Sequence, residues 1–405
     1  MTAQPIPTGR REAGFTLTEL LVTVLILAVL VLALLAIFDF TGRMTRAQTQ
    51  IAGMQQVQRV AQHEMVRLVR MAGRGGIILG SALQVRNDRP VDDPILAGST
   101  ASTTPRVREG SDVLIVRGIF NSEIYQLDTN NAASFTFNSA GNEGFLTIRG
   151  LSPSGVPQDL TALQNLLQAD GDDVPEALLV VSAVDDTDYV VVEIDPAFDG
   201  RGQDASTSPP TDIITLRYVT DGSRATAYQG LSTTTLNSPT MRTVAYAGIV
   251  EEYRYFVRDE AATGVGSPRA NELTRARVFP GTEEAYLGDD ANLAVTVAEN
   301  VLDLQVALGL DVDADGVIEE GATTADRQSD EWRFNVVTDT APGTAFSLVR
   351  LTTLVRTENP EPYFEAPRLA DIEDRTYEGT TLNTDLVERR YRRWPLQTLV
   401  DLRNL

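Results

Sequence analysis

The 405 residues are 42% hydrophobic and 22% charged, with a formal net charge of −22 at pH 7. That balance suffices to bury a substantial core, in one large domain or two smaller ones, and argues against a general nucleic-acid surface, which needs concentrated Lys and Arg. The absence of cysteine excludes disulfides, iron–sulfur clusters and Cys-zinc sites, and a single histidine, His63, argues against His-based acid–base chemistry or a multi-His metal site.

The chain opens with a short polar leader, "MTAQPIPTGRREAG", whose Arg10 and Arg11 belong on the cytoplasmic side by the positive-inside rule. From Phe15 to Phe38 the residues are almost all Leu, Val, Ile, Ala and Phe, interrupted only by Thr16, Thr18, Glu19 and Thr23. As a helix, that run spans a hydrocarbon core of about 30 Å, so the rest of the chain projects outward. A cleaved secretory signal would place a small-residue step after its apolar region. Here the step, Ala13-Gly14, comes before it. A carboxylate such as Glu19 in this setting is costly and calls for a cationic partner.

Beyond Asp39 the composition turns polar, yet Ile51, Met54, Val57, Ala61, Met65 and Leu68 recur at three- and four-residue steps. The spacing predicts one long helix over 15–71, with an amphipathic second half packed on a head, ended by glycines at 73, 75 and 76. His63 falls on its solvated face. The expected division is a leader over 1–14, a membrane and assembly segment over 15–38, an amphipathic helical half over 39–72 and a β-rich head over 73–405.

Within the head, apolar runs at 112–120, 144–150, 177–184, 189–194, 212–220, 244–259, 299–311, 345–357 and 395–405 are separated by Gly, Pro, Asn and Asp clusters, as in antiparallel strands and hairpins. "TALQNLLQA" (161–169) is the best short-helix candidate. Loop composition marks 87–110, 128–143, 199–211 and 260–292, and loop-rich insertions are expected around 87–110, 128–211 and 260–292.

The segment "GFTLTELLVTVLILAVL" resembles the class III leader and amino-terminal helix of type IV pilins and type II secretion pseudopilins. The resemblance implies an α+β pilin-like fold, cleavage between Gly14 and Phe15 by a prepilin peptidase, methylation of the new Phe15 amine, and an assembly role for Glu19. That carboxylate would pair with the amino-terminal ammonium of a neighbouring subunit. Toward the carboxyl end, "AENVLDLQVALGLDVDADGVIEE", "FSLVRLTTLVRTE" and "RRYRRWPLQTLVDLRNL" resemble, in that order, the closing half of PilW-like minor pilins, and "GSDVLIVRG" resembles an earlier strand of that group.

This resemblance implies a structural protein: a minor pilin of an initiating or tip complex. Its partners would be other minor pilins, the major pilin, the inner-membrane assembly platform and the inner membrane, with its head exported. The J-type pseudopilin of type II secretion is the closest alternative reading, and a tip adhesin is one from another class. No cofactor is required, and no nucleic-acid partner is expected.

Two further constellations stand out. "DVDADGVIEEGA" begins like an EF-hand loop, with Asp311, Asp313 and Asp315 at the first, third and fifth positions and Gly316 at the sharp turn. Val317 would offer its carbonyl and Glu319 the ninth position, while Ala322 stands where a bidentate Glu is expected, leaving Glu320 as a substitute. The loop suits Ca2+; the competing reading is a solvated acidic turn. Arg389, Arg390, Arg392 and Arg393, beside Tyr391 and Trp394, favour pairing with the chain's own carboxylates or a neighbouring subunit over DNA or lipid binding. No Ser-His-Asp, Cys-His, Walker or dinucleotide motif is present, so an enzyme is not expected.

Overall fold

The computed structural model describes residues 16–89, 107–127, 135–137, 143–161, 163–164, 176–195, 200–205, 210–220, 222–258, 271–282, 284, 294–311, 317–318, 331–334 and 347–402. The architecture is α+β, a long amino-terminal helix followed by antiparallel sheets. The chain divides into two compact units, Met1–Gly53 and Met54–Leu405, with the division falling inside the helix.

Helix α1 runs Leu17–Arg70, within two residues of the expected limits. Its end is set by backbone chemistry. Gly73 and Gly75 adopt φ of 76° and 100°, a region that L side chains rarely enter, and a Cβ on Gly75 would lie 2.4 Å from Ile119 Cδ1. The Gly73 amide then bonds to the Arg117 carbonyl at 3.0 Å, tying the turn to the head.

Seventeen strands are found among the described residues: β1 (Leu83–Arg89), β2 (Ser111–Gly118), β3 (Tyr125–Gln126), β4 (Phe135–Phe137), β5 (Glu143–Arg149), β6 (Ala177–Ser182), β7 (Tyr189–Ile194), β8 (Gly200–Asp204) and β9 (Thr211–Val219) come first. They are followed by β10 (Val244–Ile249), β11 (Glu251–Arg258), β12 (Glu272–Val278), β13 (Val295–Glu299), β14 (Val301–Gly309), β15 (Trp332–Arg333), β16 (Leu348–Arg356) and β17 (Arg393–Asp401). One sheet has the order β1-β2-β11-β12-β13, a second β3-β10-β6-β7-β9-β5-β4 with β8 against β9, and a third β15-β14-β16-β17. Every strand pairing among the described residues is antiparallel.

The packing explains why some strands read as unbroken apolar runs. In β6, Leu179 and Val181 face the main core while Leu178 and Val180 face a second core. Strand β2 is likewise divided, Leu114 and Val116 against the main core and Val113 and Ile115 against a third. A strand buried on both faces cannot alternate polar with apolar residues.

Three expectations need correction. The run 244–259 is two strands: the chain leaves the second sheet after β10, passes through Val250 and enters the first as β11. Within 128–211, β5, β6 and β7 fall on the expected apolar runs, but β4 and β8 occupy stretches of loop composition at 128–143 and 199–211. Likewise 260–292 contains β12, a seven-residue strand paired on both edges. Of the candidate helix at 161–169, Thr161, Leu163 and Gln164 are helical and the other six residues lie outside the described residues.

The second half of α1 belongs to the head core. Met54, Ala61, Met65, Leu68 and Val69 are buried there with β1, β2, β14 and β16, and His63 is exposed as expected. Two glutamines share the buried face. Gln62 Nε2 donates to the Leu396 carbonyl at 3.0 Å and Gln62 Oε1 accepts from Thr398 Oγ1 at 2.6 Å, while Gln58 Nε2 reaches the Trp394 carbonyl at 3.5 Å. These bonds fasten α1 to β17, the edge strand of the third sheet.

A buried ion network supports the first sheet. Glu252 on β11 is held by Arg117 Nε at 2.5 Å, by Arg254 Nε at 2.7 Å and by the Gly281 amide at 2.8 Å. Burial pushes the Glu252 carboxyl up, but the two guanidiniums outweigh it and hold the group below its usual value.

Candidate functional site

The first site is the start of α1. Thr16 precedes the helix, and its backbone N–H donates to Glu19 Oε2 at 3.0 Å. The Thr16 hydroxyl donates to the same oxygen at 2.8 Å and accepts from the Glu19 N–H at 3.3 Å. This is a capping box: each side chain satisfies a backbone donor that the first helical turn leaves without a partner. Among the described residues Glu19 has no ion-pair partner. Gly14 and Phe15, the expected processing residues, lie outside the described residues.

Sequence reasoning assigned Glu19 to an intersubunit pair and missed Thr16. The signal was available, since Thr-x-x-Glu before an apolar run is the sequence form of a capping box.

Behind Glu19 the helix is dressed for a non-aqueous setting. Apolar side chains from Leu17 to Phe40 are exposed, Leu17 by 81% and Phe40 by 68%. Water does not tolerate an exposed apolar surface this large, whereas lipid or neighbouring helices do. The hydroxyls of Thr23 and Thr41 turn back onto the Glu19 and Ile37 carbonyls at 2.9 and 2.7 Å. Helical threonines in this way hide a polar group within their own backbone. The run closes on the Asp39–Arg43 ion pair at 2.5 Å, one turn apart and exposed. By length and composition α1 is the one helix among the described residues able to cross a membrane.

The second site is the acidic loop. Asp311 and Val317 are described, Val317 being 57% exposed, and the neighbouring Ile318 packs against the Ala307, Trp332 and Phe334 cluster. Asp313, Asp315, Gly316, Glu319 and Glu320 lie outside the described residues. Among the described residues there is no metal-holding group of three or more carboxylates or histidines.

The arginine cluster is largely committed within the chain. Arg389 pairs with Glu365 and Arg392 with Glu361, each at 2.7 Å. Arg393 donates to the Leu382 and Glu388 carbonyls. Arg392 also stacks 4.2 Å from the Phe364 ring and Arg356 lies 4.3 Å from that of Tyr391. These contacts pin the 357–366 segment to the approach of β17, and a guanidinium so engaged is poorly placed to reach a phosphate.

No curated protein and no solved structure matches the chain. Residues 9–35 match the family model described as the prokaryotic N-terminal methylation motif. A leader of that class implies processing by a prepilin peptidase and assembly with pilus components. Joined to an apolar helix that is exposed among the described residues, the motif supports a type IV pilin-like protein.

Proposed function

We propose that this chain is a minor pilin, a structural subunit of the complex that initiates or caps a type IV pilus. The observation that carries the reading is the exposed apolar helix directly behind the matched motif, with Glu19 in its first turn. After cleavage at Gly14, the Phe15 ammonium of one subunit pairs with Glu19 of its neighbour, and the apolar helices cover one another. The carboxyl-terminal likeness to PilW-type chains and the size of the head favour a minor over a repeating subunit, because a bulky head is hard to stack along a filament.

Deletion of the gene separates the readings. Loss of surface pili with intact protein secretion is the expected result. Loss of secretion with normal pili would assign the chain to type II secretion as a J-type pseudopilin, and normal pili with lost attachment would assign it to adhesion. For the 311–320 loop we propose weak calcium binding: millimolar calcium should raise the melting temperature, and a calorimetric titration without heat would remove the ion.

A further inference from the structure

The inference concerns a turn between β16 and β17. Ile372 and Arg375 exchange backbone hydrogen bonds of 3.1 and 3.0 Å, leaving Glu373 and Asp374 at the tip. Glu373 adopts φ of 53°, and Asp88, on the β1 strand facing it, adopts φ of 46° at a bulge between Arg86 and Arg89. Neither residue type enters that region without cost, so the surrounding contacts must hold both.

The two tip carboxylates are treated differently. Glu373 is satisfied: Arg350 Nε donates at 2.9 Å, Thr352 Oγ1 at 2.8 Å and Gln397 Nε2 at 3.2 Å. Asp374 receives one side-chain donor, Asn87 Nδ2, at 2.5 Å to Oδ2. Its other oxygen, Oδ1, is buried without a hydrogen-bond partner, and so is Asn87 Oδ1. An amide and a carboxylate joined by a single bond, each with an orphaned oxygen, are one proton short of the two-bond ring that an amide forms with a carboxylic acid.

We propose that Asn87 and Asp374 form a proton-operated clasp: with a proton on Asp374 the pair closes through two hydrogen bonds and pins the Ile372–Arg375 turn to the β1 bulge, and without it one bond remains. The charged groups around the clasp favour the closed form. From β1 comes Asp88, from the turn itself Glu373, and behind them lie Asp112 of β2 and Asp303 of β14, both buried. Asp112 already accepts from the Asp88 and Val306 amides at 3.0 and 2.8 Å. The nearest cation on the turn, Arg375, is taken by Asp303 at 2.6 Å. Burial first, then Asp88 and Glu373, push Asp374 up to about 6 against the Asn87 hydrogen bond. A carboxyl raised by folding stabilises the folded turn when protonated, so this contribution is lost as pH rises through about 6 and is regained on acidification.

Hydrogen exchange of the detergent-solubilised full chain tests the clasp, at about pH 7.5 and about pH 5, corrected for intrinsic rates. Wild-type protection of the 83–89 and 371–376 peptides should rise by roughly tenfold or more on acidification, with β6 unchanged. Asp374→Asn, whose amide carries a donor at every pH, should show equal protection at both; Asn87→Leu, which removes the acceptor, leaves the buried carboxyl to titrate but should cost both peptides protection at about pH 5, where the clasp is closed. A pH-independent wild type, a response that survives in Asp374→Asn, or protection at about pH 5 that Asn87→Leu leaves unchanged would overturn the proposal.

Discussion

Between Leu17 and Phe40, α1 exposes its apolar side chains, whereas between Met54 and Val69 the same helix buries Met54, Ala61, Met65, Leu68 and Val69 in the head core. The second half is complete within one chain, down to the Gln62 bonds with β17. The first half is not: its hydroxyls are self-satisfied, its carboxylate is held by Thr16, and its apolar surface waits for lipid or another helix. One secondary structure therefore does two jobs, and the residue pattern that serves each is different: a single stripe at three- and four-residue steps for the head, an all-round apolar surface for the membrane or filament.

The largest test of this contrast is Glu19→Ala. It should collapse pilus number, counted by electron microscopy, while leaving the melting of the head unchanged, and Glu19→Asp should fall less far. Equal piliation in the two variants would remove Glu19 from assembly. In the second half, Met65→Ala should destabilise the head by about 2–5 kcal/mol, since Met65 is fully buried. Leu27→Ala, on the uncovered half, should change head stability by less than about 0.5 kcal/mol; a shift as large as that of Met65→Ala would dissolve the distinction. Gln62→Leu comes next, at about 1–3 kcal/mol in denaturant titrations, because Thr398 loses its acceptor and the Leu396 carbonyl a donor. Smallest is Thr16→Val, which keeps the Thr16 N–H bond but removes the hydroxyl; amides of the first turn should exchange faster in micelles. Unchanged exchange would deny the capping box any part in ordering that turn.

The strands legible in sequence are those whose apolar content is nearly unbroken, such as β6 and β7, because burial on both faces leaves no alternation to misread. Strand β12 was hidden for the opposite reason. "ELTRARV" carries Glu272, Arg275 and Arg277, which read as loop composition, yet Glu272 is buried with Thr296 Oγ1 at 2.6 Å and Arg277 lies 3.5 Å from the buried Glu251. Arg275 reaches back to Glu64 on α1. Polar residues buried through partners distant in sequence give no local signal. The turn of chain between β10 and β11 was invisible for a related reason: both strands are buried, so Val250 looks like the middle of one run. In the amino-terminal site, Glu19 is legible from its cost in an apolar run, whereas Thr16, a small polar residue at the edge of that run, shows its role only through its bonds to Glu19.

On the proposed reading, the uncovered helix begins at a processed terminus that a neighbouring Glu19 can meet. The sequence contains no lysine, so the α-amino group is the chain's one amine and a methyl group carried on an amine lies at that terminus. Mass spectrometry of the protein from its native membrane should find a chain starting at Phe15 with one added methyl group on its amine. A chain still starting at Met1 would contradict the account.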